Sequence, residues 1–141
     1  MDEETFKKRT RQLAVDVIRV VEGLPHCRSA DVISRQLLRS ITSVGANYRA
    51  SCRSRSMEEF ISKLGIVEEE ADESLYWMEL LLECRITTAE QVSRLMRETT
   101  EILAMTVASR KTLKLRLGIT DLPGRQRRPP RIGNRESGIV N

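Results

Sequence analysis

A chain of 141 residues with 24 Lys and Arg, 20 Asp and Glu and only 4% aromatics has the length of one domain and the composition of a helical one. It holds no apolar run of about 18 residues and no charged segment leading into an apolar one, which argues against a membrane span or signal peptide and for a cytoplasmic protein. Cys27, Cys52 and Cys84 are far apart and lack the CxxC pairs of a zinc site, so they read as reduced side chains in or near a core.

Phe6, Thr10, Leu13, Val17, Val21 and Leu24 recur at spacings of three and four and predict a first helix from about Glu3 to Glu22. Gly23 is expected to close it in a left-handed conformation, and Pro25 to stop it. Ser29 is the expected N-cap of a second helix, whose inward stripe is Ile33, Leu37, Ile41, Val44 and Tyr48. Gly45 and Ala46, small and in mid-helix, allow another helix to approach closely. Ser56-Met57-Glu58-Glu59 is a capping box opening a third helix, with Phe60, Leu64, Val67, Ala71, Leu75, Met78 and Leu82 as its seam. Ile61, Ile66, Leu80 and Leu81 fall off that line and suggest a subunit contact, which Trp77 would anchor unless it is a core side chain.

Thr88-Ala89-Glu90-Gln91 is a second capping box, with Gln91 reaching back to the cap. Val92, Leu95, Met96, Thr99, Ile102, Leu103, Thr106, Arg110 and Leu113 form the stripe of a fourth helix, weakening at Arg110 and ending at Gly118. Residues 1–117 therefore make an all-α, antiparallel up-and-down four-helix bundle. Residues 118–141, rich in Pro, Gly and Arg without periodicity, read as a disordered basic tail in which Arg125, Arg127, Arg128 and Arg131 could meet phosphate.

Charge is segregated along the chain. Residues 1–24 balance five acids against five bases, residues 28–55 carry six Arg and one Asp, and residues 57–84 carry nine acids and one Lys. Residues 85–117 return to seven bases and three acids. Neighbouring helices, or neighbouring copies, can neutralise one another, and basic surface is left over.

The segment Gln36-Leu37-Leu38-Arg39-Ser40-Ile41-Thr42-Ser43-Val44-Gly45-Ala46-Asn47-Tyr48-Arg49-Ala50, followed by Ser56, Glu59-Phe60 and Lys63-Leu64, resembles the signatures of a bacterial four-helix-bundle family. That family is named after proteins encoded in 23S ribosomal RNA intervening sequences. Glu69 to Trp77 and Leu80-Leu81 match it as well, and the resemblance runs from about Phe6 to Leu117. Many members have Pro at the position of Gly45, and Ile-Ala-Glu-Gly in place of Tyr48-Arg49-Ala50-Ser51. The resemblance implies assembly into a ring-like homopentamer. The family also includes the accessory protein of diversity-generating retroelements, a basic pentamer that binds nucleic acid and a reverse transcriptase.

Catalytic chemistry finds little support. His26 lies beside Cys27 with no third group to orient a dyad. No ExxH pair exists for a di-iron site, Glu68, Glu69, Glu70, Asp72 and Glu73 have no histidine near them, and no Gly-rich phosphate loop occurs. The expectation is a non-enzymatic protein without cofactor or metal. Arg49, Arg53, Arg55, Arg94, Arg97, Arg110, Lys111, Lys114 and Arg116 are the candidate contacts to RNA or DNA. Arg39, Ser43, Asn47, Phe60 and Trp77 are candidates for structural or subunit contacts, with Arg39 pairing to an acid of the third helix within or between chains. Two readings stay open: a nucleic-acid-binding adaptor, and an oligomeric protein-interaction scaffold. They part on whether the arginines of the second helix are consumed by acids of the third.

Overall fold

The computed structural model describes residues 2–119. Four helices follow one another: α1 (Glu3–Glu22), α2 (Arg28–Ser51), α3 (Met57–Glu83) and α4 (Ala89–Arg116). The expected bundle is present and, among the described residues, no strand interrupts it. Beyond Ile119 the expected tail, with its four candidate arginines, lies outside the described residues. Each helix packs on the next and α4 closes on α1, while the diagonal pairs stay apart. Short connections force consecutive helices to run antiparallel.

The helix ends follow local chemistry, with four departures from expectation. Asp2 caps α1 by accepting from the Thr5 amide at 3.0 Å. Gly23, expected to be left-handed, has φ −89°, and the chain closes instead through Gly23 and Leu24 amides donating to Val20 and Val21 carbonyls. Pro25, which has no N–H, then follows. Helix α2 starts before Ser29: Cys27 is its N-cap and makes no side-chain cap bond. Packing prevails there, because Ala30 is already buried in the first turn.

Ser56 caps α3, its hydroxyl accepting from the Glu59 amide at 3.1 Å, but the Glu59 carboxylate accepts from the amide of Arg55. The box is thus closed one residue upstream. Thr88 caps α4 through the Gln91 amide, and the Gln91 side chain accepts from the Thr87 hydroxyl at 2.8 Å instead of reaching the Thr88 amide. Both α3 and α4 end in paired 6→1 and 5→2 hydrogen bonds, centred on Arg85 (φ 55°) and Gly118 (φ 67°).

One core joins all four helices: Phe6, Leu13 and Val17; Leu37, Ile41, Val44 and Tyr48; Leu64, Val67, Ala71, Met78 and Leu81; Leu95 and Ile102. The α3 seam is rotated relative to expectation. Ile61, Ser74 and Leu81 are buried, whereas Phe60, Leu75 and Leu82 are half-buried. Ser74 can be buried because its hydroxyl has the Glu70 carbonyl of its own helix at 2.8 Å and Ser40 Oγ of α2 at 2.9 Å, while Ser40 donates to the Leu37 carbonyl. Thr10, Thr99 and Thr106 satisfy their buried hydroxyls on carbonyls of their own helices. Gly45 fulfils its expected role, since a Cβ there would stand 3.3 Å from Thr10 Oγ1 of α1.

Two of the three free cysteines differ from expectation in their placement. Cys27 and Cys84 are exposed in the connections, where no core reaches them, and Cys52 alone packs against the core.

Candidate nucleic-acid interface

The cations divide into those held by an acid and those that are not. Arg39 of α2 reaches Glu70 at 3.4 Å and also Glu73 on α3, all within one chain. Glu73 accepts in addition from Trp77 Nε1 at 3.1 Å. The Arg39 guanidinium, then the indole N–H, hold the Glu73 carboxyl below its usual range. Arg9 lies between Glu98 and Glu101 of α4, and Arg94 meets Asp16 of α1 at 3.2 Å.

Arg110 crosses from α4 to α3, donating to Glu68 at 2.8 Å and to the Ile61 carbonyl. It can lie there because residue 65 is glycine, where a Cβ would stand 3.1 Å from the guanidinium. The weakening of the α4 stripe at Arg110 is therefore a polar crossing between helices.

Ser43 and Asn47 are turned inward on their own helix. Ser43 donates to the Arg39 carbonyl and Asn47 Nδ2 to the Ser43 carbonyl, so neither fixes an adjoining element. Phe60 and Trp77 are half-buried against the core.

Arg49, Arg53, Arg55, Arg97, Lys111 and Arg116 form no salt bridge among the described residues. Of the α2 arginines only Arg39 is consumed by α3, while Arg35 bonds the Asp31 carbonyl of its own helix. The excess acid of α3 stays on its own outer face, at Glu69, Asp72, Glu79 and Glu83, all exposed.

Antiparallel order then sorts these cations by height in the bundle. Phe6 of α1 packs edge-on to Tyr48 of α2 at 4.4 Å, and Arg110 of α4 crosses Gly65 of α3. The start of α1, the end of α2, the start of α3 and the end of α4 thus share one end. That end carries Arg49, Arg53, Arg55, Lys111, Lys114 and Arg116, and it is where residue 119 leads on. Arg94 and Arg97 belong to the opposite end, so the nine sequence candidates do not form one surface.

Two cations join the basic end that the sequence reading passed over. Lys8 and Arg11, with Lys7, Arg49 and one acid, Glu4, line an open groove of about 620 Å³ between α1 and α2, together with Thr10, Ala14, Thr42, Gly45 and Ala46. Their segment balances acids and bases, which hid them. Spacing alone could not have found them, since Glu4 is four residues from Lys8; in the structure Lys7 takes Glu3 at 2.7 Å and Glu4 at 3.4 Å, and Lys8 and Arg11 form no salt bridge among the described residues. A second opening of about 420 Å³ lies at the end of α4, lined by Glu68, Val107, Arg110, Lys111, Lys114, Leu115 and Ile119. Among the described residues no helix is long and apolar enough to cross a membrane.

A family model described as 23S rRNA-intervening sequence protein matches residues 3–108. The chain is also similar to a protein of unknown function from the S23 ribosomal protein family of Bacteroides thetaiotaomicron, known from its crystal structure. The two are 34% identical with a TM-score of 0.72, over 79% of this chain and 99% of that one. No functionally curated protein matches.

Proposed function

The chain belongs to the family of 23S rRNA-intervening sequence proteins, and from its basic end we propose a non-enzymatic cytoplasmic adaptor that holds nucleic acid by its phosphates. One observation carries the reading: α3, for all its acid, takes only Arg39 from α2, and Arg49, Arg53, Arg55, Lys111 and Arg116, none in a salt bridge among the described residues, lie at one end. Lys8, Arg11, Arg49, Arg53, Arg55, Lys111 and Arg116 can each displace a counterion from a phosphate backbone. Contacts of this kind position a protein and do not read sequence. Assembly into a homopentamer would repeat the basic end around a ring and raise avidity without new contacts.

The exposed α3 face supports a second contact, to protein. Tyr76, 52% exposed and edge-on to Trp77 at 4.9 Å, stands among Glu69, Asp72 and Glu79. A protein with a basic surface, a reverse transcriptase among the possibilities, would fit that face, which makes the scaffold reading compatible with the first.

Fluorescence anisotropy of a labelled structured RNA, titrated with the full chain at several salt concentrations, tests the proposal. Affinity should fall linearly on a log–log plot with a slope of about −3 or steeper. Absence of binding at low salt would refute it. Sedimentation should give about five times the 16.1 kDa of one chain.

A further inference from the structure

The cations of the basic end are available, but no aromatic ring beside them offers a base a platform on which to stack. The whole chain has two Phe, two Tyr and one Trp. Phe6 and Tyr48 are 1% and 2% exposed and spend their faces on each other. Phe60 is at the basic end but packs against the core. Tyr76 and Trp77 lie in the other half of α3, on its acidic side. The groove beside Lys8, Arg11 and Arg49 is lined by Thr, Ala and Gly where Gly45 brings α1 and α2 close together, and it holds no aromatic ring.

From this we infer that the basic end takes double-stranded nucleic acid in preference to single strands. The inference rests on the proposed phosphate-binding reading and goes further by naming the form of the ligand. Proteins that hold single strands combine a basic groove with aromatic platforms, and the platforms supply the affinity that a lone backbone lacks. Without them only charge remains. A duplex presents one phosphate charge per about 1.7 Å of axis and a single strand one per about 3.4 Å, so a purely electrostatic surface gains more from the duplex. The cations are also spread over α1, the end of α2 and the end of α4, not aligned along one track. Two helix diameters, about 20 Å, span that end, and a ligand with two backbones can engage cations on both sides.

The test titrates the full chain into fluorescein-labelled 20-base-pair RNA and DNA duplexes and an unstructured 20-nucleotide single strand, at several salt concentrations. Duplexes should bind about tenfold tighter or more at low salt, with the steeper dependence on salt. A single strand that binds as tightly as the duplexes, or tighter, overturns the inference and leaves phosphate binding standing. Failure of all three to bind at low salt overturns the phosphate-binding reading and this inference with it.

Discussion

Arg110 illustrates how one side chain can be misjudged from its type alone. An arginine at a core-facing position suggests a stripe running out, and one near a helix end suggests a phosphate contact. Its half-buried guanidinium instead joins α4 to α3 over the bare backbone of Gly65. Replacing Arg110 by Ala should cost about 1 kcal/mol in thermal or chemical denaturation. Lys should not restore it, because an ammonium cannot reach the Glu68 carboxylate and the Ile61 carbonyl in the same fork geometry. Glu73 gives the pH dependence at this scale. Its carboxyl is held below the usual 4.5 in the folded chain, first by Arg39 and then by Trp77, so its contribution is complete above the unfolded value. That contribution is lost as pH falls through the folded value. Melting temperature should therefore drop on acidification below about pH 4.5, and Arg39→Met should flatten part of that drop. An acid limb identical in the variant would contradict the assignment.

At the scale of the element, the four helices were legible because their signals are local. The Ser56 and Thr88 caps, periodic apolar residues and the terminal Gly118 each act within one turn. The face of α3 was less so. Ile61 and Leu81 are as apolar as Phe60 and Leu82, and spacing cannot choose between adjacent stripes when both are filled. The buried stripe even includes Ser74, which bonds the Glu70 carbonyl of its own helix and also meets Ser40 of α2. Such a pairing is invisible until the helices are assembled. Two substitutions test the ends. Ser56→Ala removes the α3 cap and should cost about 1 kcal/mol. Arg85→Gly relieves a left-handed residue that keeps its side chain exposed, and should stabilise by about 1 kcal/mol, read from denaturant midpoints. A destabilised Arg85→Gly would mean that the arginine side chain holds the α3–α4 connection.

Over the whole molecule, charge has a polarity that runs along the bundle, and this was only half legible. Counting acids and bases by segment located the basic α2 and the acidic α3, and it invited the thought that one neutralises the other. Ion pairing depends on which faces meet, and α2 and α3 form ion pairs only at Arg39, so most of each charge points outward. Arg94 and Arg97 looked equivalent to Lys111 and Arg116 among the basic residues, yet 14 to 22 residues of helix, about 20–33 Å, separate the two sets. Lys8 and Arg11, hidden in a neutral segment, enter the basic end through antiparallel packing of α1 on α2. The measurement that bears most directly on this account compares the RNA affinity of Arg49→Glu/Arg53→Glu with that of Arg97→Glu, each confirmed folded by circular dichroism. The account predicts at least a tenfold loss and a shallower salt dependence for the double variant, with Arg97→Glu within about twofold of the parent. Equal losses in both, or a larger loss in Arg97→Glu, would contradict a binding surface confined to one end of the bundle.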